Sequence, residues 1–133
     1  MLGMLVVTHG RLAEDLVEAV QTIVGPVEGL AAVSIGWNDD VDSATQSIED
    51  AIGRVDRGKG VLVLTDMFGG TPTNLSLPHL SPEVEIVTGV NLPMIIKATA
   101  LREGVLPHVA REIRDQGKNA IYVASEVLED PAR

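Results

Sequence analysis

Short apolar runs alternate with amphipathic stretches along the whole chain. Gly3-Met4-Leu5-Val6-Val7 lies inside a strand-like run from Met1 to Thr8, and Leu30 to Ile35, Val61 to Thr65 and Val84 to Thr88 repeat its character. Runs this short, rich in Val, Leu and Ile and bounded by turn residues, read as buried strands. Between them the apolar positions recur every three or four residues. Leu12, Leu16, Val17, Val20 and Val24 predict one helical face over Arg11 to Val24, stopped by Gly25-Pro26. Ala44, Ile48, Ala51, Ile52 and Val55 predict another over Asp42 to Val55. Further helices are expected near Pro72 to Leu77, from Pro93 to near Gly104, and from Pro107 to Gln116-Gly117. Asn119 to Ala124 reads as a last short strand, and Ser125 to Arg133 as a frayed tail.

Strand–helix alternation of this kind specifies an α/β fold, an open and mainly parallel sheet of four strands flanked by helices. No linker or repeat divides the chain, so residues 1–133 are expected to form one domain. In such sheets, sites lie at the C-terminal ends of the strands, near a topological switch point. That rule selects four loops: Thr8 to Gly10, Gly36 to Asp40, Thr65 to Asn74 and Thr88 to Pro93.

Composition narrows the picture. Apolar residues make up 45% of the chain, yet its only aromatics are Trp37, Phe68 and Tyr122. The core must therefore be built from Val, Leu, Ile and Ala, as in parallel strands covered by helices. A net charge of −9 argues against nucleic acid and anionic membrane surfaces, and leaves open a protein partner with a basic face. The chain has no cysteine, which excludes disulfides, thiolate metal sites and thiol catalysis. No apolar run approaches the roughly 20 residues of a membrane span, and no basic segment precedes the first strand, so a cytoplasmic protein without a signal peptide is expected.

The candidate chemistry lies in two loops. Asp66 follows the third strand directly, and Gly69-Gly70 then allow a sharp turn. Thr71 can cap the next helix, with Pro72 suited to its first turn. His9 closes the first strand. If these two strands are parallel neighbours, His9, Asp66 and the helix-start amides meet in one crevice. A carboxylate on one imidazole nitrogen would fix the tautomer and leave the other nitrogen as a nucleophile. Gly69, Gly70, Thr71, Thr73 and Asn74 would supply amides and a hydroxyl to a phosphate on that nitrogen. Blander readings stand beside this one: His9 as a structural histidine, Asp66 and the glycines as a plain turn, Trp37 and Phe68 as lid packing. The glycine turn matches neither a Walker loop nor a dinucleotide fingerprint. A small-molecule domain of flavodoxin-like shape, holding a ligand phosphate there, is a further option. His79 and His108 sit in other loops without metal-ligand spacing, so both read as surface residues and no metal site is expected.

Three segments carry a family likeness: Val7-Thr8-His9-Gly10 with the helix after it, Thr65 to Asn74, and Gly89-Val90-Asn91-Leu92-Pro93-Met94. In order and spacing the chain resembles the IIA component of the mannose/fructose-family bacterial phosphotransferase system. The resemblance implies a phosphotransferase working through a phosphohistidine, without metal or organic cofactor. His9 would take a phosphoryl group from the histidine phosphocarrier protein and pass it to a IIB component for sugar uptake. Asp66 matches the carboxylate that orients the histidine, and Thr71 a serine or threonine near the phosphate. Trp37, Phe68 and Asn91 would form the partner-docking surface; Phe68 stands where some members have tryptophan. The likeness also implies a homodimer in which the C-terminal strand crosses to the partner's sheet, with the membrane reached only through the transporter. The chain stops soon after that strand, so no fused IIB domain is expected. A stand-alone regulatory IIA protein, whose phosphorylation state controls protein partners, is the alternative role.

Overall fold

A computed structural model describes residues 1–129. Its elements, in chain order, are β1 (Gly3–His9), α1 (Leu12–Val24), β2 (Leu30–Ile35), α2 (Val41–Val55), β3 (Val61–Thr65) and α3 (Thr71–Ser76), the last running into a 3₁₀ turn at Leu77–His79. Then follow β4 (Val84–Thr88), α4 (Leu92–Ala100), α5 (Leu106–Asn119) and α6 (Ala124–Glu129). The four strands form one parallel sheet in the order β2-β1-β3-β4. The chain leaves β1 in one direction to form β2 and returns on its other side as β3, so the switch point falls at the C-terminal end of β1.

Side chains on a strand alternate between faces, and both faces of this sheet are covered. Met4 and Val6 of β1, with Leu62 and Leu64 of β3, pack against Ala13 and Val20 of α1 and against α4 and α5. Leu5 and Val7, with Val61 and Val63, pack against Ala44, Ile48, Ala51 and Val55 of α2, and Leu75 of α3 joins them. Unbroken apolar strands thus follow from burial on both sides. The α2 face is the expected one. The α1 face is rotated: Ala13 and Val20 are buried, Leu16 and Val17 half-buried, while Leu12 and Val24 at the two ends are exposed.

The C-terminal region departs from the expectation. Asn119–Ala124 forms no strand. Helix α5 continues through Gly117 to Asn119, because that glycine does not stop the helix but brings it against α4; a Cβ there would lie 2.8 Å from Met94 Cε. Residues 120–123 have no regular structure, and Ile121, Tyr122 and Val123 are exposed. Ala124–Glu129 is helical where a frayed tail is expected; the rest of that expectation, residues 130–133, lies outside the described residues. Among the described residues no helix is long and apolar enough to cross a membrane.

The end of the sheet opposite the switch point is held by Arg102, whose guanidinium is buried. Its Nε and Nη2 donate to the Leu2 carbonyl at 2.9 and 2.6 Å, and its Nη1 donates to the Glu28 carbonyl. The Leu2 N–H returns a bond to the Arg102 carbonyl at 2.7 Å. One side chain thus joins the entries of β1 and β2 to the end of α4. Arg102→Leu strips these buried carbonyls of their donors, and chemical denaturation is expected to show a loss of about 1–3 kcal/mol. An unchanged midpoint would mean that water replaces the guanidinium there.

Candidate functional site

The parallel pairing of β1 with β3 aligns Val7 with Thr65, which brings His9 beside Asp66 just past both strands. Asp66 Oδ2 accepts two bonds from His9, one from the backbone N–H at 3.0 Å and one from Nδ1 at 2.8 Å. Asp66 Oδ1 accepts the N–H of Met67 at 3.0 Å. An ionised carboxylate only accepts, so the contact puts the proton on Nδ1 and leaves the lone pair on Nε2. Burial pushes the Asp66 carboxyl up. The backbone and ring hydrogen bonds that His9 donates help to outweigh it and hold the carboxyl below its ordinary value.

The turn after Asp66 brings backbone, not side chain, to the imidazole. A Cβ at Gly70 would lie 2.7 Å from His9 Cε1 and 3.2 Å from Nε2, so only glycine fits. Gly69 supplies the turn itself with φ of 89°. Gly70, not Thr71, stands at the N-cap of α3, and no side chain caps that helix. Thr71 is the first helical residue, with Pro72 in the first turn as expected. The Asn74 N–H is already used, donating to the Gly70 carbonyl at 2.9 Å. The Thr73 hydroxyl is buried, donating to the Met67 carbonyl at 2.6 Å and lying 2.7 Å from the Thr65 hydroxyl. Of the five residues expected to bind phosphate, Asn74 and the Thr73 hydroxyl thus brace the turn. The N–H groups of Gly69, Gly70, Thr71 and Thr73 have no acceptor among the described residues.

Trp37 is the largest surprise. It follows β2 and is 80% exposed, yet its ring stacks on that of His9, with centroids 5.1 Å apart and planes 20° from parallel. The pairing of His9 with Ile35 puts Trp37 two residues beyond His9's partner in β2. Asp39 closes the loop, accepting the Gly36 N–H at 2.7 Å, while its own N–H reaches the Gly36 carbonyl at 3.2 Å. Together His9, Trp37, Asp39, Val41, Thr71 and Leu75 border a cleft of about 210 Å³.

The other expected docking residues lie apart from this cleft. Phe68 is exposed and borders a separate groove of about 510 Å³ along β4, with Leu77, Leu80 and Arg111. Asn91 has its polar atoms engaged: Oδ1 caps α4 by accepting the Met94 N–H at 3.0 Å, and Nδ2 donates to the Gly117 carbonyl at 3.1 Å. It braces α4 and α5. His79 sits half-buried on the 3₁₀ turn, and His108 is exposed on α5, 3.6 Å from Glu112. Among the described residues no cluster of three or more His, Asp or Glu side chains could hold a metal ion. Sequence reasoning missed Thr8, whose buried hydroxyl accepts the Ala13 N–H at 2.6 Å and donates to the His9 carbonyl at 3.1 Å. A threonine just before a helix whose N-cap position is Arg11 was the available signal.

Because the Asp66 carboxyl is held below its ordinary value of 3.8, its ionised form favours the fold. That stabilisation is present above the ordinary value and is lost as the pH falls through the lowered one. Asp66→Asn removes it, so the fall of Tm with acidification is expected to be shallower in the variant than in the parent. Parallel acid limbs would show that the carboxylate does not stabilise this loop.

Residues 3–112 match the model of a protein family described as PTS system fructose IIA component, EIIA-man. The chain is similar to the fructose-specific EIIA component of the phosphotransferase system (PTS) of Bacillus subtilis, 26% identical over 132 residues that make up 97% of this chain and 90% of that protein. It is also 26% identical to the PTS mannose-specific EIIAB component of Escherichia coli K12, over 98 residues that are 72% of this chain but 30% of that protein. Among solved structures, the mannose/sorbose-specific IIA subunit of the phosphotransferase system from Enterococcus faecalis superposes with a TM-score of 0.80 at 30% identity, over 92% of this chain and 93% of that one. The family match spans both loops of the site and all four strands, and the chain belongs to the mannose-type IIA family of the phosphotransferase system.

Proposed function

We propose that the chain, as a single IIA domain, is a cytoplasmic phosphocarrier of the phosphotransferase system. His9 Nε2 receives a phosphoryl group from the histidine phosphocarrier protein and passes it to a IIB component for sugar uptake. The observation that carries this reading is the His9–Asp66 pair: a carboxylate 2.8 Å from Nδ1 leaves Nε2, beside the Gly70 backbone, as the nucleophile.

In the transfer the Nε2 lone pair forms the new P–N bond while the donor's P–N bond breaks. The donor imidazole leaves with that electron pair as a neutral ring. No proton moves at Nε2, and Nδ1 keeps its own. The His9 ring thereby becomes cationic, which the Asp66 carboxylate favours. The phosphoryl oxygens would lie over Gly69, Gly70 and Thr71, where the N–H groups of Gly70, Thr71 and Thr73 and the Thr71 hydroxyl can receive them. The chain thus supplies nucleophile, orientation and oxygen donors, and the partner supplies the rest of the in-line geometry.

Incubation with phosphoenolpyruvate and the two upstream phosphotransferase proteins is expected to give an acid-labile, base-stable phosphoprotein. His9→Ala is expected to abolish it, while His79→Ala and His108→Ala leave it intact. Phosphorus–nitrogen coupling is expected from Nε2. Labelling that survives in His9→Ala would overturn the assignment, and coupling from Nδ1 would remove Asp66 from the orienting role.

A homodimer belongs to the same proposal. β4 is a sheet edge, the groove beside it is open, and Ile121, Tyr122 and Val123 are exposed just past α5. The segment forms no β ladder in its own chain, and its crossing to a second chain's sheet would cover an open edge. The full chain is therefore expected to sediment as a dimer at micromolar concentration, and truncation after Asn119 to give a monomer or aggregate. A monomeric full-length protein would rule out the exchange.

A further inference from the structure

We infer that Trp37 is a positioning residue for His9 that favours the phosphorylated form of the ring over the free form. The inference rests on the phosphocarrier reading above and assigns to Trp37 a role beyond docking.

Two restraints act on the His9 imidazole in different directions. The Nδ1 contact with Asp66 aims the ring within its plane but leaves it free to rock about the Nδ1–Oδ2 line. The Trp37 indole covers one face and removes that freedom, with planes 20° from parallel. A nucleophilic nitrogen attacks along its lone pair, which lies in the ring plane. An indole on the face therefore steadies Nε2 without blocking it.

Packing does not account for the position of Trp37. At 80% exposed it buries little of its own surface, and it belongs to neither apolar cluster of the core. Its loop is nonetheless fixed at both ends: the Gly10 N–H donates to the Ile35 carbonyl at 2.8 Å, and Asp39 closes the turn on Gly36 at 2.7 Å. The chain thus holds a large, exposed aromatic ring against the histidine whose Nδ1 lies 2.8 Å from the Asp66 carboxylate.

The energetic consequence follows from charge. Before transfer the stack joins an indole to a neutral imidazole. After transfer the imidazole is cationic, and an aromatic face within about 6 Å of a cation attracts it. Trp37 therefore binds the product ring more strongly than the free one, and a contact that discriminates between two states shifts their equilibrium. Asp66 acts in the same sense from the ring edge.

This role is separable from docking, because a partner surface changes the rate of transfer in both directions but not the equilibrium between free species. The test is the equilibrium fraction of phosphorylated chain when mixed with phosphorylated histidine phosphocarrier protein, measured for the parent, Trp37→Phe and Trp37→Leu. Trp37→Leu is expected to lower the equilibrium constant about two- to fivefold, and Trp37→Phe by less. The upfield ring-current shift of the His9 ring protons in the unphosphorylated protein is expected to disappear in Trp37→Leu. That arm reads the stack without any phosphate. An unchanged equilibrium constant in Trp37→Leu, with only a raised KM for the carrier, would overturn the inference and leave Trp37 as a docking residue. A parent chain that accepts no phosphate while keeping its ring-current shift would instead overturn the phosphocarrier reading.

Discussion

One carboxylate organises the functional end of this molecule. Asp66 accepts the His9 backbone N–H, the His9 ring and the Met67 N–H, so it joins the exits of β1 and β3 and sets the tautomer of the only histidine between them. Everything else in the site is arranged around the ring it holds: Gly70 passes within reach because it has no side chain, and Trp37 lies on the open face. Remove the carboxylate, and the two loops lose their common anchor at the point where β1 and β3 stop pairing.

Much of this was legible in the sequence for a simple reason. Parallel strands buried on both faces are nearly pure apolar runs, and β2, β3 and β4 begin and end where those runs do. The pairing of His9 with Asp66 was legible once β1 and β3 were taken as neighbours. What lay beyond the sequence depended on strand order and turn geometry. Trp37 reaches His9 only because β2 flanks β1 on the side away from β3, and no local pattern encodes that order. Gly70 looked like a turn former, and its actual constraint is the imidazole beside it.

The misread C-terminal segment has a different cause. Asn119 to Ala124 carries Ile121, Tyr122 and Val123, a strand-like trio, but strand character is expressed only against a partner strand. Within one chain no strand edge receives it, and α5 extends to Asn119 instead. Gly117 misled for a related reason, since it serves close contact with α4 and not helix termination. The bracing of α4 and α5 by Asn91 likewise depends on how the two helices pack, which no local pattern encodes.

The Arg102 fastening has a consequence for how the protein is made. Leu2 and Arg102 are 100 residues apart, and β1, which precedes the other three strands of the sheet, ends up in its interior. While the ribosome extends the chain, β1 can pair with β2 early, but it waits for β3 to cover its other edge and for Arg102 to lock its entry. A largely apolar strand is thus held unfinished while the next 100 residues are made, an interval in which nascent chains aggregate or engage chaperones. The histidine at its far end takes its working geometry only after Asp66 has been made and the sheet has formed around them both.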